Sequence, residues 1–568
     1  VHVYEVQINY FTGLNMTRDA LRIGIKALNL LGVRLPSKAR KLYYYKEYVL
    51  SQFYMLRKKA DDYLELPDLD DEKKLAIARI FISCNQPSYV GYPEYFPIIG
   101  MKQLNYTIKN GNSVYSPYSY VIYGLITIGR GNIETAYTFG KLSITILKKY
   151  DSQQLKCKVN FFFGNMINHW KNHMKEDIPY LWESHKKGYE TGDLTWSYIA
   201  LIHLLFHTLF IGNNLRESYN KFSKYQKAIE AFKNARILQQ YGLSFQMMDN
   251  LQNETDDVTS LIGDFFNEEK LLPTWQRMND NSGIGYYTVF KQLLYFLFGK
   301  YEDAINISEE YSDKLDGIMA QIFHSHYYYY YALSIASLER HNNSLIKKHH
   351  IHKLSSIEKK LSLWATYSPE NYQHKHYLVK AELCRIKNKI EKAIKLYELA
   401  VIEAHNNEFI QDEAIANELA GKFYISRGLQ RIGKEYIIAA RGCYEKWGAL
   451  SKVKQLDKDY GKLLYLSNNP FKKIEFAKNQ TFSFTTDTNS EYLDLSTVLK
   501  ASQAISSEIV LSKLLVKLMR LSLIHAGADK GYMLLYDNEY DLLTVEVKGE
   551  LTSAETITLN SIPIESYE

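Results

Sequence analysis

Apolar residues recur at steps of three and four along most of this chain, and four short segments that share one design introduce such runs. They are NMTRDA (15–20), GNIETA (131–136), GKYEDA (299–304) and NKIEKA (388–393). Each opens on Gly or Asn and closes on Ala. Gly or Asn can take the left-handed conformation that ends one helix, and Ala lets the next helix approach closely. After Asn388 the apolar positions are Ile390, Ala393, Ile394, Tyr397, Val401 and Ala404, which form one stripe on a helix. A further hairpin is predicted from Ala414 through Gly428 to Tyr444. Its tight position, Gly433, lies 40 residues after Ala393, so the repeat is degenerate. No proline lies between Pro369 and Pro470, leaving that stretch free to form helical hairpins.

Breaks divide these runs. Residues 84–100 hold three prolines and two glycines and cannot be one helix. Residues 242–257 are mostly polar and read as a connection or a short helix. Residues 468–490 are rich in Asn, Thr, Ser and Lys and read as a linker. Beyond it, residues 493–526 read as helix. Leu495, Val498, Ser502, Ile505 and Ile509 are spaced like a two-helix seam or an ordinary amphipathic face. Leu511, Leu514, Leu515, Leu518 and Ile524 add a second apolar stripe. The period then becomes that of strands: YMLLY (532–536) and LTVEV (543–547) flank a hairpin-like turn.

Of the 568 residues, 46% are hydrophobic and 23% charged, which fits a folded chain and not a disordered one. The net charge of +6 is a weak bias, and no basic stripe interleaved with aromatics points to nucleic acid. The densest basic run, KKHHIHK (347–353), reads as a solvated helix end or loop. Cys84, Cys157, Cys384 and Cys443 are scattered and read as buried free thiols in a reducing compartment. The apolar run 199–212 contains His203 and His207, is too short to span a bilayer, and reads as a buried helix.

The candidate chemistry is sparse. The GK at 140–141 has Ala136 where a phosphate-binding loop needs Gly, and Leu142 where it needs Ser or Thr. No GxGxxG, HRD or DFG pattern occurs. The pairs His324/His326 and His374/His376 and the trio His349, His350 and His352 lack an HExxH frame, and alternate residues on a helix face different ways. No metal ligands are therefore assigned. His169–Trp170 reads as a packed pair between hairpins, not a catalytic histidine. His525 is followed by Ala526, where a phospho-accepting histidine is expected to be followed by Glu. Tyr327–Tyr331 is a run of five tyrosines that faces all sides of a helix. It reads as inter-repeat packing, with a ligand groove as the sharper reading. No nucleophile, base and orienter occur together, so no catalytic residue is assigned and the chain itself is not expected to be an enzyme.

The hairpins resemble tetratricopeptide repeats. More specifically, YFTGLNMTRDALRIGIKALNLLGVRLP (10–36) resembles the repeat region of a family of multidomain signalling kinases. VNFFFGNMINHW (159–170), GYETGDLTWSYIA (188–200), AIANELAGKFYISRG (414–428) and ARGCYEKWGALSKVKQL (440–456) agree with it in order. In that family a Ser/Thr-kinase-like domain, an NTP-binding domain, helical repeats, a GAF domain and a histidine-kinase module follow one another. The string DLSTVLKASQAISSEIVLSKLLVKLMRLSLIHAGADKGYMLL (494–535) resembles the start of its GAF domain.

The resemblance implies a mainly α chain: a tetratricopeptide-like α-solenoid over 1–467, a linker over 468–490, and the N-terminal part of an α+β GAF domain over 491–568. It implies a cytoplasmic, non-catalytic regulatory scaffold that relays signal to a GAF sensor, within a two-component, histidine-kinase-like protein. The rival readings are a free-standing helical-repeat adaptor for a protein or peptide, and the sensor arm of an NTP-driven transcription regulator. No cofactor is expected here, and ATP belongs to the kinase and NTP-binding domains not seen in this chain. No cysteine follows Cys443, which excludes a thioether-linked chromophore in the GAF part shown. Expected partners are proteins or neighbouring domains, without nucleic acid or membrane, with a dimer contact offered between Leu495 and Ile509. The start at Val1 and the ordered pattern near Glu568 read as those of a fragment.

Overall fold

In a computed structural model, the described residues are 2–465 (apart from 15, 37, 254, 256 and 343–347), residue 519, and the strands 530–537, 542–550 and 556–563. The fold is mainly α: among the described residues, 23 α-helices run from His2–Gly13 to Leu450–Tyr465. The chain divides into two compact units, Val1–Asn469 and Pro470–Glu568. The linker, the 495–509 seam and His525 lie outside the described residues.

The predicted turns share one hydrogen-bond pattern. At Gly131, Gly299, Asn388 and Gly428, φ is between 53° and 78°, in the left-handed region. The next residue's N–H then reaches back to the carbonyl five positions earlier: Asn132 to Thr127, Lys300 to Tyr295, Lys389 to Cys384, and Leu429 to Tyr424. This six-to-one bond satisfies a carbonyl the ending helix leaves orphaned. Glu408, with φ 59°, makes the same turn without Gly or Asn, and Phe409 N–H bonds to the Ala404 carbonyl. The stretch beyond Pro369 becomes five helices, Pro369–Ile386, Ile390–Asn406, Ile410–Ser426, Gln430–Trp447 and Leu450–Tyr465. The short turns between them make consecutive helices antiparallel neighbours.

Where these helices cross, small residues admit the backbone of the neighbour. A Cβ on Gly433 would lie 2.9 Å from the Gly421 carbonyl oxygen. Ala20, Ala136, Ala304 and Ala393 are all fully buried. In Ile390–Asn406 the inward stripe is Ala393, Tyr397, Ala400 and Ala404, while Ile394 is exposed. We expect Ala393→Phe and Ala304→Phe each to overpack a crossing and cost about 1–3 kcal/mol, read as lowered thermal midpoints. Melts that match the parent would place these alanines at the surface.

One expected break is narrower than the stretch that signals it, and one segment differs from expectation. The break in 84–100 falls at residues 92–95, and helix Glu72–Gly91 continues through Pro87. Residues 242–252, read as a connection or short helix, belong to the long buried helix Ala235–Gln252. Its polar residues are anchors: Asn250 Nδ2 donates to the carbonyls of Val258 (2.9 Å) and Ser260 (2.6 Å), and Gln246 Oε1 accepts from Phe265 N–H. Interior amides with partners do not weaken a helix, so polarity there was a poor guide to exposure.

Helix Leu194–Ile211 is, among the described residues, the one long and apolar enough to cross a bilayer, and 83% of it is buried inside the protein. Cys84, Cys157 and Cys443 are buried thiols, whereas Cys384 is only half-buried. In the second unit, β1 (Lys530–Asp537), β2 (Leu542–Glu550) and β3 (Thr556–Pro563) form an antiparallel sheet in the order β1-β2-β3. The expected hairpin pairs Tyr536 with Leu543 and Met533 with Val547. β3 was not anticipated, although TITLNSI (556–562) carries Ile557 and Leu559 at strand spacing.

Candidate functional site

Several residues singled out in the sequence meet in one buried hub. Helix Gln153–Met166 ends in two tight 3-10 turns, Asn168–Trp170 and Met174–Glu176. Asn371, in the first turn of Pro369–Ile386, stitches this segment down. Its Nδ2 lies 2.7 Å from the carbonyls of both His169 and Asn172, and its Oδ1 accepts from Met174 N–H at 2.9 Å. Trp170 donates through Nε1 to the Ala320 carbonyl at 3.0 Å, stacks on Tyr372, and meets Trp364 edge-on. The pair His169–Trp170 therefore packs between hairpins distant in sequence.

Two charge clusters flank the pair. Asp177 is fully buried, with Asn168 donating to Oδ1 at 2.8 Å, and Oδ2 3.2 Å from His207 Nδ1 and 3.8 Å from His169 Nδ1. Burial pushes its carboxyl up to about 6, against the pull of His207 and Asn168. Burial likewise drives His169 well below its ordinary value, so its ring is neutral. In the second cluster, Asp412 Oδ2 lies 2.8 Å from Lys375 Nζ and 2.9 Å from His374 Nε2. Burial raises the Asp412 carboxyl, but the Lys375 ammonium and His374 outweigh it and hold it well below the carboxylate range. Phe409 lies between the His173 and His374 rings, at 5.0 and 4.8 Å between centroids, with the Lys375 ammonium 4.7 Å from its ring.

The other candidates separate. His324 packs against Tyr328 and Trp364, and His326 against Phe210 and Tyr330. His374 meets Asp412, but His376 meets Glu358 at 2.9 Å. His349 and His352 are exposed near the start of Lys348–Tyr367. Among the described residues no three His, Cys, Asp or Glu side chains converge as metal ligands do. Of the five tyrosines, only Tyr328 is not fully buried. Tyr327 donates to the Ser308 carbonyl at 2.6 Å and Tyr331 to Glu309 at 2.8 Å. They fill space between helices.

No family model matches the chain. A relative is the hybrid signal transduction histidine kinase G of Dictyostelium discoideum, 22% identical over 502 residues that cover 68% of this chain. This chain is similar to part of a signalling kinase. The aligned part is 14% of that protein's length.

Sequence reasoning missed the buried charges that hold the hub and its neighbourhood. Glu418 binds Lys422 at 2.6 Å, Lys452 at 2.9 Å and the Tyr444 hydroxyl at 2.7 Å, joining the last three helices. A signal was present. Asp412 stands with Ile415, Ala416 and Leu419 at steps of three, four and seven, and Lys375 stands likewise with Leu378 and Val379. A charge on an apolar stripe must find a partner inside. Two surface pockets, of about 90 Å³ beside Trp196 and about 350 Å³ beside Tyr295, are lined by other residues. With its groups buried and bonded to elements up to 234 residues away, the hub is arranged to hold hairpins in register.

Proposed function

We propose that this chain is a non-catalytic regulatory scaffold of a larger signalling protein: a tetratricopeptide-like solenoid (1–467), a linker (468–490) and the opening of a GAF sensor domain (491–568). The similarity to a hybrid histidine kinase over 68% of the chain carries this reading. The repeated left-handed turns and small-residue crossings support the solenoid, and the antiparallel sheet β1-β2-β3 is compatible with a GAF opening. The interlocked hub suits a relay, because a shift at one hairpin is passed on through packed, bonded neighbours. In the parent protein, ATP would be bound by domains outside this chain.

Radiolabelled ATP tests the non-catalytic part. Purified chain is expected to show neither ATP hydrolysis nor stoichiometric labelling, and a label lost on changing a single residue would overturn the proposal. Reading the coding sequence on both sides tests the parent. Kinase-like and NTP-binding domains are expected upstream, and the remaining GAF strands with a histidine-kinase module downstream. A stop codon directly after Glu568, with a stable monomeric product, would favour the free-standing adaptor.

A further inference from the structure

Helix Lys41–Met55 carries apolar or aromatic residues on two opposite faces. A helix at the rim of a folded unit normally packs its apolar face inward. Here the inward face holds Glu47 and Ser51, both buried, beside half-buried Tyr44, Tyr48 and Met55 that pack on the core, and a second apolar stripe is left outside. Glu47 is fixed there by Lys102 Nζ at 2.7 Å and by Asn105, whose Nδ2 lies 2.9 Å from the Glu47 carbonyl and 3.1 Å from its carboxylate. The opposite face shows Leu42, Tyr45, Val49, Phe53 and, just past the last turn, Leu56, which are 75%, 53%, 65%, 70% and 67% exposed. Their spacing of three, four, four and three places them within about 80° of arc, along about 21 Å of helix. The buried Glu47 ion pair and the inward packing of Tyr44, Tyr48 and Met55 hold this orientation, since turning the helix would strand Lys102 and place Glu47 in water.

The charge around the stripe is of one sign. Lys38, Arg40 and Lys41 precede it, Lys46 stands beside it, and Arg57, Lys58 and Lys59 follow it, all exposed. Among the described residues none of these seven forms an ion pair, and the one acid between residues 38 and 59 is the buried Glu47. The next acids are Asp61 and Asp62, and Asp62 is turned back to accept from Lys59 N–H. The stripe thus has cations at both ends and no anion along its length.

We propose that this face docks on an anionic lipid surface, with the helix lying in the headgroup plane, its apolar stripe among the acyl chains and the flanking cations on the headgroups. A stripe of Leu, Val and Phe with basic flanks is the chemistry of an interfacial helix. Tyr43 and Tyr45 add rings suited to the headgroup level. A second copy would bring two cationic stripes together. A protein partner fits less well, because five of the seven cations are lysines, which protein interfaces deplete. No bilayer-spanning segment is required.

The test is co-sedimentation of the full chain with vesicles of phosphatidylcholine alone and of phosphatidylcholine with about one-third phosphatidylserine. Binding is expected to the second only, and to weaken as salt is raised. Val49→Asn with Phe53→Asn removes the stripe, and Lys41→Glu with Lys46→Glu reverses its flank. Each pair is expected to lower partitioning by about tenfold or more. All four residues are exposed, so helix content by circular dichroism is expected to match the parent; if one pair unfolds, the other decides. No binding, equal binding to both vesicles, or binding retained in a folded variant overturns the proposal. A dimer abolished by Val49→Asn with Phe53→Asn, or an acidic protein held by this face in place of vesicles, also overturns it.

Discussion

Asp412→Ala is expected to destabilise the helical unit by about 3–5 kcal/mol. The carboxylate is buried, and its Oδ2 is 2.8 Å from Lys375 and 2.9 Å from His374. Removing it leaves the Lys375 ammonium in the interior with the Asn371 carbonyl at 3.2 Å and the His374 ring at 3.0 Å, neither carrying a negative charge. An unpaired buried charge costs far more than the net worth of the pair it came from. The combined change Asp412→Leu with Lys375→Met should therefore recover most of the loss, although it removes more of the native structure. Urea unfolding followed by circular dichroism measures both. A single variant with the parent's midpoint, or a double variant worse than the single, would show that the pair is not a buried, mutually dependent one.

Acidification from pH 7 to pH 5 is expected to lower stability by an amount on the order of 4 kcal/mol. Burial is the main cause that pushes His326 down to about 3 and His324 and His374 down to about 4, from an ordinary 6.5. Their rings stay neutral in the fold, while the unfolded chain takes up protons as pH drops through 6.5. The unfolded state then binds more protons, so the stability these groups provide is complete above pH 6.5 and is lost on the way down towards 4. Asp177 works the other way. Its carboxyl, raised to about 6, is protonated in the fold first, and returns part of the loss between pH 6 and 3.8. Burial lowers His169 and His203 in the same sense, so the histidines outweigh the one carboxyl and the net slope favours neutral pH. A thermal midpoint that stays level from pH 7 to pH 5 would contradict the burial of these rings.

Short-range features were legible in the chain. The turns at Gly131, Gly299, Asn388 and Gly428 follow from residues that tolerate left-handed backbone, and the structure ends helices at each. The buried character of 199–212, the hairpins after Pro369 and the β1–β2 pairing also follow from local period and composition. Glu408 shows the edge of that logic. It makes the same turn without the residue type that announces it, because packing on both sides can hold an L-residue there.

The sequence by itself determined that the chain is mainly helical, that helices end at Gly131, Gly299, Asn388 and Gly428, and that Ala136, Ala304 and Ala393 are packed inside, because these depend on neighbours within about one turn. Tertiary structure alone decided which polar groups go inside. Asn371, Asp412 and Glu418 are buried because distant partners satisfy them, and no local period reports a partner far along the chain. It alone brought His169–Trp170 against Asn371 and Tyr372, about two hundred residues later. It also decided the orientation of helix Lys41–Met55. A net charge of +6 over the whole chain concealed its local run of cations, and contacts with distant elements, the Glu47–Lys102 pair across 55 residues among them, leave its apolar stripe outward.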